Sequence, residues 1–292
     1  MAAILTPKPA RDKHRKMSNN KVMQKETPYL MLALDHRQSF FKLMNPQNPN
    51  LVTPKQVTQL KKEFIECLSE LFTGVLIDVE LGLQALHQAF EGQECPLFLL
   101  PIEKSGFKAV KNYRVNEKLY DVAKLKAMGA SGVKLLLYFD YKASQDVVMQ
   151  QLKLAKESVE QAHASGLPLF LEIVTYNNTT NTVVEAVQMF LAHGIVPDVF
   201  KLEFAGNQQR CAQITQVLGK TPWILLTRGD DFAEFSQNLQ LATAAGAKGF
   251  LAGRALWKEI CAEKDSIKRQ DFYKHTLIPR FKEISDIARS GF

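Results

Sequence analysis

From Leu30 onward the chain alternates short apolar runs with longer amphipathic stretches, and it does so eight times. The apolar runs are Leu30–Leu34, Gly74–Ile77, Leu97–Ile102, Gly132–Tyr138, Leu167–Val174, Val199–Phe204, Trp223–Thr227 and Gly249–Ala252. Each is short enough for a buried strand and too short for a buried helix. Between them, Lys55–Phe72, Asn116–Met128, Asp146–Ser165, Thr182–His193, Gln208–Leu218 and Asp231–Ala245 repeat apolar residues at three- and four-residue spacing, which predicts helices with one apolar face. A last helix is expected over Arg269–Arg289, broken at Pro279. Eight strand–helix units with short connections predict an α/β fold, a closed (β/α)8 barrel in one domain. An open doubly wound sheet is the alternative. It needs no eighth strand, and neither a G-x-G-x-x-G after the first strand nor a P-loop is present.

Several of the strands carry ionisable residues where apolar ones are expected. In Val199–Phe204, alternation puts Val199, Lys201 and Glu203 on one face and Phe200, Leu202 and Phe204 on the other. Lys134 and Glu172 stand in the same way inside two preceding strands. If all three point into the barrel, neighbouring strands bring them together. Two ammoniums and one carboxylate in an enclosed site are expected to perturb one another, each cation disfavouring protonation of its twin. A lysine with a lowered pKa attacks a carbonyl carbon, and the resulting iminium draws electrons from the adjacent C–C bond. Glu172 would then move the protons. A buried Lys–Glu–Lys salt bridge of purely structural value is the competing interpretation.

Other strand ends supply Asp35-His36-Arg37, Asp78, Glu103-Lys104, Thr227-Arg228-Gly229 and Gly253-Arg254. In a barrel, the loops after the last two strands form the usual phosphate position, so Gly229, Gly253 and Arg254 are candidate phosphate-binding residues. Arg37 stands where a second anion would be held, or where it would pair with Asp35 or Asp78. Asp35, Asp78, Glu103 and His36 offer a rival metal chemistry, but no H-x-H or H-x-x-x-H pairing supports it.

The chain has 292 residues, 46% hydrophobic and 23% charged, the balance of a soluble globular protein. No apolar run reaches the ~18 residues of a membrane span. Four cysteines without C-x-x-C spacing argue against a zinc site or a disulfide framework and suit a reducing cytoplasm. The net charge of +7 owes much to Lys8, Arg11, Lys13, Arg15, Lys16, Lys21 and Lys25. That segment is polar and proline-broken, so residues 1–27 are expected to be a disordered tail and residues 28–292 the barrel domain. No apolar h-region follows its basic residues, as a secretory signal would require. The remaining positive charge suits anionic small molecules better than nucleic acid.

Leu32-Ala33-Leu34-Asp35-His36-Arg37, Pro101-Ile102-Glu103-Lys104-Ser105-Gly106, Val133-Lys134-Leu135, Phe170-Leu171-Glu172-Ile173, Asp198-Val199-Phe200-Lys201-Leu202-Glu203 and Ala252-Gly253-Arg254-Ala255 together resemble the motifs of the class I tagatose 1,6-bisphosphate aldolases. The related sulfofructose-phosphate aldolases are similar through Gly249–Arg254. The resemblance runs from about residue 30 to about residue 260. It implies Lys201 as the Schiff-base lysine, Glu172 as the acid/base carboxylate, Lys134 as a second active-site lysine, Asp35 and Arg37 as a first-strand polar pair, and Gly253 with Arg254 as a phosphate-binding turn. It further implies a phosphorylated sugar substrate, no cofactor or metal, and self-association into a homo-oligomer. Two positions depart from it. His36 stands where the family has glutamine, and Thr227-Arg228-Gly229 replaces a small Ser-rich turn. With Asp230, the turn is closer to the aldolase-like domain fused to some 5-dehydro-2-deoxygluconokinases, and the added Arg228 implies a more anionic substrate or a different phosphate grip.

The expected activity is therefore cleavage of a phosphorylated ketose, such as tagatose 1,6-bisphosphate or 6-deoxy-6-sulfofructose 1-phosphate, to dihydroxyacetone phosphate and a three-carbon aldehyde. The alternatives are a 5-dehydro-2-deoxyphosphogluconate aldolase of inositol breakdown, a metal-dependent barrel lyase, and a non-catalytic sugar-phosphate-binding protein.

Overall fold

A computed structural model describes residues 27–176 and 182–292. The expected basic tail, apart from Thr27, lies outside the described residues. In chain order the elements are β1 (Tyr29–Leu34), α1 (Gln38–Met44), α2 (Pro54–Leu68), β2 (Gly74–Ile77), α3 (Gly82–Ala89), β3 (Phe98–Pro101), β4 (Lys108–Val110), β5 (Tyr113–Val115), α4 (Val122–Ala127), β6 (Gly132–Phe139), α5 (Gln145–Ala164), β7 (Leu169–Thr175), α6 (Val183–Ala192), β8 (Val199–Leu202), α7 (Gln208–Leu218), β9 (Trp223–Leu226), α8 (Phe232–Ala244), β10 (Gly249–Ala252), α9 (Arg254–Trp257), α10 (Ser266–Phe272) and α11 (Ile278–Arg289). Eight parallel strands close in the order β1-β10-β9-β8-β7-β6-β3-β2, so each predicted apolar run is a barrel strand.

Local chemistry explains where the helices begin and end. Thr53 caps α2 by accepting from Gln56 N, and Gln56 Oε1 accepts from Thr53 N in return, with Pro54 supplying a first-turn residue that has no N–H to satisfy. Gly129 and Gly166 end helical stretches at φ 88° and 67°, a conformation that any side chain would resist.

Three expectations need correction. The stretch Asn116–Met128 is helical only over α4, because Asn116 is tied to β6 instead: its Oδ1 accepts from Tyr138 N at 2.7 Å, and its own N donates to Gln151 Oε1 at 3.2 Å. Before it lies an antiparallel hairpin, β4–β5, that the pattern did not predict. Nor does the last helix break at Pro279. A π-helical stretch, Tyr273–Leu277, joins α10 to α11, which places the proline in the first turn of α11, where a missing N–H is tolerated.

The apolar core has two compartments. Between strands and helices lies the larger one, which takes the outward-facing residues of the strands, including Leu32, Leu100, Phe200 and Leu202. Inside the barrel, Met31, Ala33, Leu76, Leu99, Phe170, Val199, Ile224 and Leu251 form a closed floor. Two positions further along the same strand face come Asp35 after Ala33, Asp78 after Leu76, Glu172 after Phe170 and Lys201 after Val199. The floor therefore sets the depth at which charge begins, on the face formed by the C-terminal ends of the strands.

Asp78 does not join the other charges. It is fully buried with Lys61 of α2, and the two form an ion pair. Its oxygens also accept from Leu81 N and Gly82 N at the start of α3, while Lys61 Nζ donates to His36 O at 2.8 Å. One pair thus fixes α2, α3 and the turn after β1. Replacing Lys61 by Met leaves a buried carboxylate without its counter-charge and is expected to lower stability by about 3 kcal/mol, read from urea unfolding. A loss below ~1 kcal/mol would contradict this role.

Candidate active site

Glu172 and Lys201 are register partners on β7 and β8, and alternation turns both side chains inward. Lys201 Nζ lies 2.9 Å from Glu172 Oε2. Lys134 starts one pleat deeper, since Leu136 is the partner of Glu172 on β6, and its stem carries the ammonium up to the same oxygen at 3.2 Å. There it also meets Asp35 Oδ2 at 2.8 Å and Glu103 Oε1 at 2.6 Å. The second oxygen of Glu103 accepts from Leu136 N at 3.1 Å. Lys134, Glu103, Glu172 and Lys201 are all at most 7% exposed.

This arrangement reverses part of the electrostatic expectation. Lys134 is not an ammonium destabilised by its twin. Burial works against its charge, but Asp35, Glu103 and Glu172 outweigh burial and hold its pKa well above the ordinary lysine value. Burial likewise opposes ionisation of Asp35, yet Lys134, His36 and Lys201 hold its carboxyl well below the usual range. For Glu172, burial is again overcome, here by Lys201 and Lys134, and the pKa falls. Glu103 differs, because burial raises its pKa and Lys134 offsets this only partly. Among the three carboxylates around Lys134, Glu103 is the one on which a proton settles most readily.

A second cluster stands beside the first. Glu203, one pleat beyond Lys201, accepts from both the N–H and the hydroxyl of Thr175 at 2.8 Å and pairs with Arg228 Nη1 at 2.9 Å. Burial raises the Glu203 pKa despite these contacts. Arg228 also donates to Thr175 O at 3.1 Å, so its guanidinium spans from the turn after β9 to the end of β7.

The residues expected to form an anion turn stand together. Arg254 Nη2 donates to Arg228 O at 3.3 Å, and its guanidinium covers Gly229 so closely that a Cβ there would lie 3.2 Å from it, on a backbone already at φ 97°. A Cβ on Gly253 would touch Ala33 and His36 at 3.2 Å. One turn after Arg254, Lys258 Nζ reaches Gly229 O and Asp230 O at 3.2 and 3.3 Å. Arg37 pairs with Glu80 at 3.1 Å and donates to Glu103 O at 3.5 Å.

The structure thus brings together Lys201, Glu172, Lys134 and Asp35 in one group, and Arg228, Gly229, Gly253 and Arg254 in a second, with Arg37 at the edge of the first. Glu103 and Lys258 were not foreseen in these roles. Glu103 was visible as a strand-end carboxylate and weighed only as a metal ligand, and Lys258 stands four residues after Arg254, on the same helical face. Of the proposed metal ligands, Asp35 and Glu103 are taken by Lys134 and Asp78 by Lys61, and among the described residues no group of three His, Cys, Asp or Glu is arranged to hold a metal ion. No helix among the described residues is long and apolar enough to cross a membrane.

A closed barrel with an amine and its carboxylate at the mouth, beside an arginine-lined turn, is the architecture of a barrel lyase. A family model described as DeoC/LacD family aldolase matches residues 29–259. The chain belongs to this family of aldolases, and it is a class I aldolase, a lyase. It is 27% identical over 296 aligned residues to tagatose 1,6-diphosphate aldolase of Staphylococcus aureus strain bovine RF122 / ET3-1, covering 88% of this chain and 89% of that protein. The similarity to the same enzyme of strain JH9 is also 27%. Among solved structures, an archaeal fructose 1,6-bisphosphate aldolase superposes with a TM-score of 0.61 at 16% identity, over 91% of this chain and 95% of that one. Another archaeal fructose-1,6-bisphosphate aldolase, with its catalytic Lys bound to the carbinolamine intermediate, gives 0.60 at 15% identity, over 89% and 94%. These two likenesses concern the fold.

His36 gives a test by pH. Burial, reinforced by Arg254, Lys61 and Lys201 and opposed by Asp35, pushes its pKa down to about 4, and its ring packs edge-on against Trp257. In the unfolded chain the value is about 6.5. Between those values the unfolded state binds a proton that the folded state does not, so stability falls as pH falls through the window. The expected loss is about 2 kcal/mol, discounted for partial exposure. In His36→Gln, unfolding measured from pH 7 to pH 4 should show a correspondingly flatter dependence. An unchanged slope would refute it.

Proposed function

We propose that the protein cleaves a phosphorylated ketose through a Schiff base on Lys201, releasing dihydroxyacetone phosphate and a three-carbon aldehyde. The observation that carries this is the 2.9 Å contact between Lys201 Nζ and Glu172 above an apolar floor. The Lys201 ammonium gives a proton to Glu172 and the freed amine adds to the C2 carbonyl. Water leaves with a proton returned by the carboxyl group, and the iminium forms. The iminium then accepts the electron pair of the C3–C4 bond as a carboxylate takes the C4 hydroxyl proton. Protonation of the resulting enamine and hydrolysis return the amine.

Lys134 keeps Glu172 and Asp35 ionised and in place, and Glu103 is the site to which a proton can be relayed. Arg254, Gly229, Gly253 and Lys258 form the phosphate turn, with Arg228 steadying it through Glu203. The relatives named for tagatose 1,6-diphosphate support a ketose carrying phosphate at both ends. The Arg228-Gly229-Asp230 turn keeps 5-dehydro-2-deoxyphosphogluconate as a second substrate to assay. A cytoplasmic homo-oligomer, with residues 1–27 as a tail outside the barrel domain, belongs to the same reading and rests on the resemblance and on the four free thiols.

Borohydride added during turnover should fix a three-carbon adduct on Lys201, located by peptide mass spectrometry. Lys201→Met should abolish the adduct and lower kcat by about 10⁴-fold or more. Glu172→Gln should lower kcat by about 10²- to 10⁴-fold while leaving the protein folded. An adduct on another lysine would overturn the assignment.

A further inference from the structure

The hairpin β4–β5 rises from the segment after β3, on the same barrel face as Lys201, and it carries an arginine held in an unusual way. The guanidinium carbon of Arg114 lies 4.8 Å from the ring centre of Phe107, 5.3 Å from that of Tyr138 and 4.9 Å from that of Tyr176. Rings so close to a cation stabilise its charge without consuming its N–H donors. Among the described residues no carboxylate pairs with Arg114, whereas Arg37 is paired with Glu80 and Arg228 with Glu203. Among the described residues, Arg114 and Arg254 are therefore the two arginines of this face without a carboxylate partner.

Their placement is complementary. Arg254 follows β10, and Tyr138 belongs to β6. In the ring order β1-β10-β9-β8-β7-β6-β3-β2 these two strands stand diametrically opposite. Tyr138 is on the same strand face as Lys134, four residues and about 13 Å further toward the mouth. Arg114 is also held rigidly. Its backbone N donates to Tyr176 Oη at 2.7 Å, and Asn116, two residues on, is bonded to Tyr138 N and to Gly106 O. An arginine fixed in this way loses little freedom when an oxyanion arrives.

We infer that Arg114, held by Phe107, Tyr138 and Tyr176, grips the phosphate at the end of the substrate remote from the Arg254 turn. The Schiff-base lysine then lies between two anion grips on opposite sides of the barrel mouth. This rests on the proposed ketose bisphosphate substrate and adds the residue that distinguishes it from a ketose monophosphate.

The test compares tagatose 1,6-bisphosphate with tagatose 1-phosphate by isothermal titration of the full chain. The wild-type protein should bind the bisphosphate more tightly. Arg114→Gln should weaken bisphosphate binding about 30-fold and leave monophosphate binding unchanged, and Arg114→Lys should recover part of the difference. Equal loss for both sugars, loss for neither, or a wild-type protein that does not discriminate would each overturn the inference. A merely structural arginine would instead lower Tm and weaken both ligands together. Trapping of dihydroxyacetone phosphate by borohydride needs no remote grip. Its success in Arg114→Gln leaves the Schiff-base reading standing whatever the titration gives, and its failure in the wild-type protein removes that reading by itself.

Discussion

The site depends on one buried ammonium. Lys134 stands among three carboxylates that burial alone would force to neutralise, and it keeps Asp35 and Glu172 ionised inside a water-poor barrel. Its position follows from register. Because it begins one pleat below Glu172, it reaches that carboxylate from beneath, while Lys201 meets the same oxygen from the neighbouring strand. Glu172 is thereby fixed between two cations, of which Lys134 holds its proton tightly. Such a cluster contributes little net stability compared with an apolar core, and its value lies in specifying one arrangement of charge.

Below it, the floor of Met31, Phe170, Val199 and their neighbours closes the barrel, so the ammonium–carboxylate contacts act where they are screened least. Above it, the ends of β9 and β10 contribute a turn in which Arg254 lies against Gly229, itself at φ 97°, and Ala33 against Gly253, so neither glycine has room for a side chain.

Much of this is legible in the chain. Eight apolar runs became eight barrel strands because parallel strands buried on both faces must be almost wholly apolar, so a charged residue within one stands out. That made Lys134, Glu172 and Lys201 visible at once. Two further partners of Lys134, Asp35 and Glu103, were harder to see, because they follow β1 and β3 and no sequence spacing links them to it. Predicting two mutually repelling lysines assumed one carboxylate where the fold supplies three. The hairpin was missed for a local reason. Its strands are only three residues long, and its turn places Lys111 and Asn112 at φ 48° and 67° without the glycine that usually marks such a turn. Lys61 was hidden in an amphipathic helix, where a lysine is ordinarily solvent-facing.

A Schiff base on Lys201 would lose the ketone oxygen of the substrate to water and regain one each time the imine forms and hydrolyses. Incubating the protein with dihydroxyacetone phosphate in ¹⁸O-labelled water, with the C2 carbonyl followed by mass spectrometry, tests it directly. Label uptake should depend on the enzyme, slow in Glu172→Gln and vanish in Lys201→Met. Equal uptake with Lys201→Met, or none with a wild-type protein that cleaves its substrate, would contradict it.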